Sequence, residues 1–275
     1  METIDAASNP KMAQQMINDI METAYSAPER VVEEQPELSI TEADDTVVNL
    51  PGGYLTFSGE VVTEAEVREL TGRDEEVISR ATTVDKTLIE VLTRGTVRVG
   101  TEKVTEDTLD SLLSGDRDFL LLKIFKATFG PSVLASPYCG PCGETVDVEV
   151  DLDRDVPVRT LGKPSDRRFT VDISKGQVLC DLPTGHTQRE MMTAAGKNIA
   201  ELSTILLKNT IVEIRGVTLV SPNQVLDLSI RDRRKIGEEI LNRVPGPLLQ
   251  QTATPCPNCG TKLEVPLALA NLFRL

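Results

Sequence analysis

Four of the chain's five cysteines stand in two near-identical pentapeptides, Cys139-Gly140-Pro141-Cys142-Gly143 and Cys256-Pro257-Asn258-Cys259-Gly260. Each runs at once into an alternating apolar stretch: Val146, Val148 and Val150 after the first, Leu263, Val265 and Leu267 after the second. A tight turn that aims two thiolates inward and feeds a strand is half of a tetrahedral zinc site. The turn residues suit that use, since Gly143 and Gly260 can adopt positive φ and Pro141 and Pro257 stiffen the bend. Zinc ribbons separate their two pairs by roughly 15–20 residues, whereas Gly143 to Pro255 is 113 residues here. The pairs must therefore meet through the fold, not through one local hairpin. Cys139, Cys142, Cys256 and Cys259 are the predicted ligands of one structural Zn2+ per chain. A closed four-thiolate shell has no open position for water or substrate, so the site is read as architectural.

A Cys-Gly-Pro-Cys run also occurs in thioredoxin-like redox proteins, but there the first cysteine opens a helix. Gly143 and an alternating strand follow here, which favours metal. Cys180, inside the strand-like Val178-Leu179-Cys180, reads as a buried thiol. No stretch approaches the ~18 apolar residues of a membrane span, and no basic-then-apolar leader is seen. Disulfides are accordingly not expected.

Charge is unevenly placed. Residues 1–165 carry 15 bases and 32 acids, net −17, and residues 166–275 carry 14 bases and 11 acids, net +3. An acidic front half repels phosphate, and aromatics at 3% with no Trp leave few stacking platforms, so nucleic acid is a poor partner.

Residues 1–48 read as an acidic arm. Asn9-Pro10 caps a short helix whose Met12, Met16, Ile17, Ile20, Met21 and Ala24 form one apolar stripe, which either folds back on the chain's own core or, as the linker after it favours, docks on another protein. A proline-punctuated acidic linker follows. Regular structure then begins: a hairpin from Tyr54 to Thr63 around Ser58-Gly59, a helix capped by Thr71, a second through Leu88 to Leu92, and a short strand at Val97-Arg98-Val99. A helical turn opened by Thr105 and an apolar helix from Phe119 to Phe129, stopped by Gly130-Pro131, complete the set.

The second half repeats this order. A hairpin spans Phe169 to Leu182, Thr184-Gly185 stands 113 residues after Thr71-Gly72, and Ile199 to Leu207 with Ile211 to Ile214 repeat helix and strand. The capping box at Ser221-Pro222-Asn223-Gln224 lies 116 after Thr105, Asp232-Arg233 lies 116 after Asp116-Arg117, and Cys256 lies 117 after Cys139. Gly246-Pro247 likewise lies 116 after Gly130-Pro131. Conserved order among different kinds of punctuation predicts one supersecondary unit present twice. Two copies about a pseudo-twofold axis would set equivalent cysteine turns face to face, giving an intrachain site; completion of each pair by another chain is the alternative. The Asp-Arg pairs read as helix caps with local ion pairs, and Arg231, Arg233, Arg234 and Lys235 as a solvated basic face that an acidic protein could meet. His186, the sole histidine, aligns with Arg73 and not with a ligand. No P-loop, Rossmann fingerprint or nucleophile elbow occurs, so no catalytic residues are assigned.

The run Leu70-Thr71-Gly72-Arg73-Asp74-Glu75-Glu76, the leucine-rich helix after Gly115-Asp116-Arg117-Asp118 and the following Cys-x-x-Cys resemble the T-even-phage base plate protein family. These are baseplate hub or hub-assembly proteins of contractile-tailed phages. The resemblance is best over residues 50–155; the second half joins it through its knuckle and the internal repeat. It implies a non-enzymatic tail component, bound to other tail proteins in several copies per particle, located in the virion and assembled in the host cytoplasm. The combined expectation is an α+β protein with an arm (1–48) and two repeats (49–162 and 163–275) clasped by zinc. An assembly chaperone absent from the mature particle and, in a different class, a zinc-ribbon nucleic-acid or transcription adaptor are the alternatives.

Overall fold

The computed structural model describes residues 46–56, 58–194, 196, 198–218, 221 and 223–273. The predicted arm helix at Asn9–Ala24 lies outside them. The first strand, β1 (Val47–Leu55), begins inside the stretch assigned to the arm and pairs antiparallel with β2 (Val61–Val67). Their register shifts between Asn49 and Tyr54, where Pro51 lacks a donor and Gly53 takes φ +78°. Helices α1 (Gly72–Ile78) and α2 (Val84–Gly95) follow, then β3 (Thr96–Val99) and β4 (Glu102–Lys103), which complete a sheet ordered β1-β2-β3-β4. Thr71 caps α1 as predicted: its N–H and hydroxyl both donate to Asp74 at 2.9 Å. The Arg68 guanidinium, bidentate on the same carboxylate, holds Asp74 below the usual carboxylate range.

The second sheet takes the order β10-β11-β12-β13, from β10 (Arg168–Ile173), β11 (Gly176–Asp181), β12 (Ile211–Ile214) and β13 (Val217–Thr218). Its helices α5 (Gly185–Thr193) and α6 (Ile199–Thr210) also lie between the second and third strands. Both sheets are antiparallel throughout, so the architecture is mixed α+β with small sheets.

Between the sheets run α3 (Glu106–Ser111) and α4 (Ser114–Phe129). The expected start of α4 at Phe119 is five residues late. Leu113 is extended (φ −61°, ψ 144°) and the helix opens directly after it, with Gly115, Asp116 and Arg117 buried in its first turn. Gly115 is needed there: a Cβ would stand 1.5 Å from the Pro245 carbonyl oxygen. Among the described residues Asp116 makes no local ion pair. It accepts the Gly52 N–H at 2.7 Å, and Arg167 donates to the Gly52 carbonyl at 2.8 Å. Burial pushes the Asp116 carboxyl up to about 7. Beside it, Leu113 bridges Thr184, Ser114 N–H donates to the Pro183 carbonyl at 2.9 Å, and Gly185 N–H to the Leu112 carbonyl at 2.8 Å. The start of α4 is thus the seam between the two sheet regions.

Ile124, Leu120 and Leu121 of α4 anchor the larger hydrophobic cluster, where they meet Val67, Leu92 and Leu109. With nine of its sixteen residues buried, this helix is a core helix. A smaller cluster lies under the second sheet, where Val178, Cys180 and Leu207 meet Ile236 and Ile240 of α8 (Ile230–Arg243). The short α7 (Asn223–Leu226) precedes α8. Gly246-Pro247 does not repeat the helix stop of Gly130-Pro131. Gly130 caps α4 at φ +99°, whereas α8 ends at Arg243, and Gly246-Pro247 forms β14, paired with β9 (Val158–Arg159). Gly246 is taken up there by backbone packing, since its Cβ would lie 2.4 Å from the Gly115 carbonyl oxygen. Among the described residues no helix is long and apolar enough to cross a membrane.

Candidate metal centre

The first cysteine turn is carried by β5 (Ser132–Ala135), β6 (Tyr138–Cys139), β7 (Glu144–Thr145) and β8 (Val148–Asp151). The second lies between β15 (Ala253–Pro255) and β16 (Lys262–Glu264), ahead of α9 (Leu269–Leu272). Both turns close the same way. Gly143 N–H donates to the Cys139 carbonyl at 2.9 Å and Gly260 N–H to the Cys256 carbonyl at 2.8 Å, with the glycines at φ +74° and +72°. Only the absence of a Cβ makes that left-handed conformation cheap. Val146, Val148 and Val150 of one turn, and Leu263, Val265 and Leu267 of the other, enter the larger cluster together. Alternation therefore does what it should on both sides: every second residue buries, and the first cysteine of each turn is buried with them.

The two turns face each other. Cys139 and Cys259 Sγ lie 3.7 Å apart, Cys142 and Cys256 Sγ 3.8 Å, and all four fall within 4.8 Å of one another. These distances are far beyond the ~2.05 Å of a disulfide. They match the ~3.8 Å edge of a tetrahedron with metal–sulfur bonds of ~2.3 Å. Cys139 and Cys256 are buried, Cys142 half-buried and Cys259 exposed. Asn258 adds a direct tie by donating to Glu144 at 2.9 Å.

The neighbouring Cys259 and Cys139 push the Cys142 thiol well above its ordinary range, while the Thr261 hydroxyl and N–H hold the Cys259 thiolate and bring it down to about 6. Four thiolates this close repel one another unless a cation sits among them, and coordination deprotonates a thiol outright. Soft sulfur donors in a tetrahedral set suit zinc or iron–sulfur chemistry. All four predicted ligands thus come together in one set within a single chain.

The remaining singled-out residues stay apart from this centre. Cys180 is fully buried in β11 and burial pushes its thiol up to about 12. His186 is exposed in the first turn of α5. Of the basic cluster, Arg233 is committed to the fold, donating to the Ala200 carbonyl and to Thr204 at 3.2 and 2.6 Å. Asp232 accepts the Ser174 N–H at 3.0 Å and the hydroxyls of Ser174 and Ser229 at 2.6 and 2.8 Å. Asn258, Glu144 and Arg167 were not singled out by sequence, because their partners lie over a hundred residues away.

Small antiparallel sheets and a core helix carry four thiols, at the meeting of two turns, whose spacing is compatible with a bound metal ion. The T4 bacteriophage base plate protein family matches residues 46–274, and the chain belongs to that family. The match runs well past the 50–155 stretch on which the sequence resemblance rests best. No curated protein and no solved structure matches the chain.

Proposed function

We propose that this chain is a non-enzymatic structural subunit of a phage tail baseplate or hub, in which one Zn2+ clasps two copies of a single α+β unit, residues 49–162 and 163–275. The observation that carries the clasp is the convergence of four thiols from turns more than a hundred residues apart. Family membership supplies the baseplate setting. The duplication draws support from the two four-stranded sheets, alike in strand order and in the place of their paired helices. Other tail proteins are the partners, met through the N-terminal arm and the repeat surfaces, with assembly in the host cytoplasm and residence in the virion.

Two measurements test this. Quantitative proteomics of purified particles should find the chain at a fixed ratio to other tail proteins. Presence in infected lysate but not in particles would make it an assembly chaperone instead. Elemental analysis of the purified chain should return one zinc per chain; a metal-free protein with an unchanged melting temperature would end the clasp reading.

A further inference from the structure

Two exposed patches, one on each side of the molecule's charge divide, share a design with opposite sign. The first is the outer face of the β5–β8 ribbon. Leu134 pairs directly with Glu149, and with Val148 and Val150 buried, Glu149 and Leu134 point outward. Leu134 is 82% exposed and Tyr138, just beyond, is 66% exposed. Ser136 donates to Asp147 at 2.6 Å and Ser132 is hydrogen-bonded to Glu149, which fixes both carboxylates beside the apolar pair. Asp153 nearby is matched by Lys123 and Lys126, but among the described residues Asp147 and Glu149 have no ion pair with Lys or Arg.

The second patch lies at the start of α8. Ile230 is 73% exposed, and Ile199 at the head of α6 is exposed too, as is Leu226 on α7. Arg233 ties the first turn of α8 to Ala200 and Thr204, which sets Ile199 beside Ile230 and the exposed Arg231, Arg234 and Lys235. These three bases stand in the first two turns, at the positive end of the helix dipole, where cations disfavour the helix. Asp232, the acid of that turn, is buried and spent on Ser174 and Ser229. Among the described residues Arg231, Arg234 and Lys235 enter no ion pair. Arg231 adds to the field that favours the Asp232 carboxylate, but Arg234 and Lys235 stand against the dipole, among exposed isoleucine and leucine, with no ion pair among the described residues.

We propose that these patches bind each other between copies of this chain, the acidic β5–β8 face of one copy seating on the basic α8 face of the next. Apolar centres supply the contact and the charged rims supply register and steering. The contact is head-to-tail, so it builds a ring where the rotation closes and a filament where it does not. It does not depend on the baseplate reading.

Sedimentation velocity of the full-length zinc-loaded chain tests it. Wild type should self-associate with rising concentration at about 0.05 M salt and dissociate toward monomer at about 1 M, where screening shortens to ~3 Å. The triple variant R231E/R234E/K235E and the double variant D147K/E149K should each be monomeric, with zinc content and melting temperature unchanged. Mixed together, they offer one wild-type and one charge-swapped contact, both complementary, and should co-assemble in alternation as the wild type does alone. A chain carrying all five reversals should assemble again. Wild type that stays monomeric at every concentration, variants that assemble like wild type, or a mixture that stays monomeric would each overturn the proposal.

Discussion

Asp116 and Asp232 stand 116 residues apart, each in the first turn of a helix and each followed by arginine. Both bind the backbone of a distant turn: Asp116 takes Gly52 N–H and Asp232 takes Ser174 N–H. Their surroundings then divide them. Asp116 sits at the seam with one carboxylate oxygen buried and without a partner, and burial raises its proton affinity. Asp232 is wrapped by two serine hydroxyls and a backbone amide, and its proton affinity falls. The same dipeptide therefore serves as a strained joint between regions in one place and as a satisfied cap in the other. Matching punctuation fixes where a helix begins; it does not fix what its first turn is used for.

The cysteine turns are the opposite case, alike in geometry as well as in sequence, and the largest expected effect tests that likeness. Structural zinc contributes apparent folding free energies of about 10–16 kcal/mol in finger peptides. Cys139→Ser and Cys256→Ser should each remove most of the chain's thermal stability, by similar amounts, in calorimetry; loss confined to one region would show that the turns are not equivalent.

The two aspartates should give pH dependences of opposite sign. At Asp116 the folded state binds the proton more tightly than the unfolded chain, whose carboxyl has the ordinary 3.8. Its stabilising contribution is thus complete below about 4 and is lost as pH rises toward about 7, by on the order of 4 kcal/mol at 1.36 kcal/mol per unit. At Asp232 the carboxylate form is favoured, so its contribution is present above 3.8 and lost as the medium is acidified through its lowered folded value. Denaturant unfolding of Asp116→Asn across pH 4–7 should give a flatter profile than wild type, while Asp232→Asn should be less stable than wild type above about pH 4 and converge on it in acid.

Gly115 and Arg231 occupy the residue before each aspartate. Gly115→Ala drives a methyl into the Pro245 carbonyl and should lower stability by about 3 kcal/mol, the upper range of overpacking. Arg231→Ala, on an exposed face, should shift it by no more than about 0.5 kcal/mol in the same denaturation series.

What sequence could reveal follows the range of the interactions. The cysteine turns, the Thr71 cap and the hairpins are set by residues a few positions apart, and they are found where expected. The use of the first turn of α4 was hidden because Gly115 and Asp116 answer to Pro245 and Gly52, contacts that no local pattern encodes. Gly130-Pro131 and Gly246-Pro247 look interchangeable in the sequence, yet one caps a helix and the other forms a strand against β9. The ligand set was legible as residue types; its meeting in one tetrahedron depended on the whole fold.

The wide spacing of the cysteine turns also sets a schedule. At roughly 5–20 residues per second of synthesis, the 114 residues from Cys142 to Cys256 take on the order of ten seconds to make. During that interval the first turn holds half a coordination shell, and the larger cluster lacks Leu263, Val265, Leu267 and Phe273. A chain interrupted before residue 256 has neither a full thiol set nor a closed core, and stays open to proteases. Arrival of the second turn completes the thiol set and the cluster at once, so an ion bound there would be a seal that only a chain translated past Cys259 could receive.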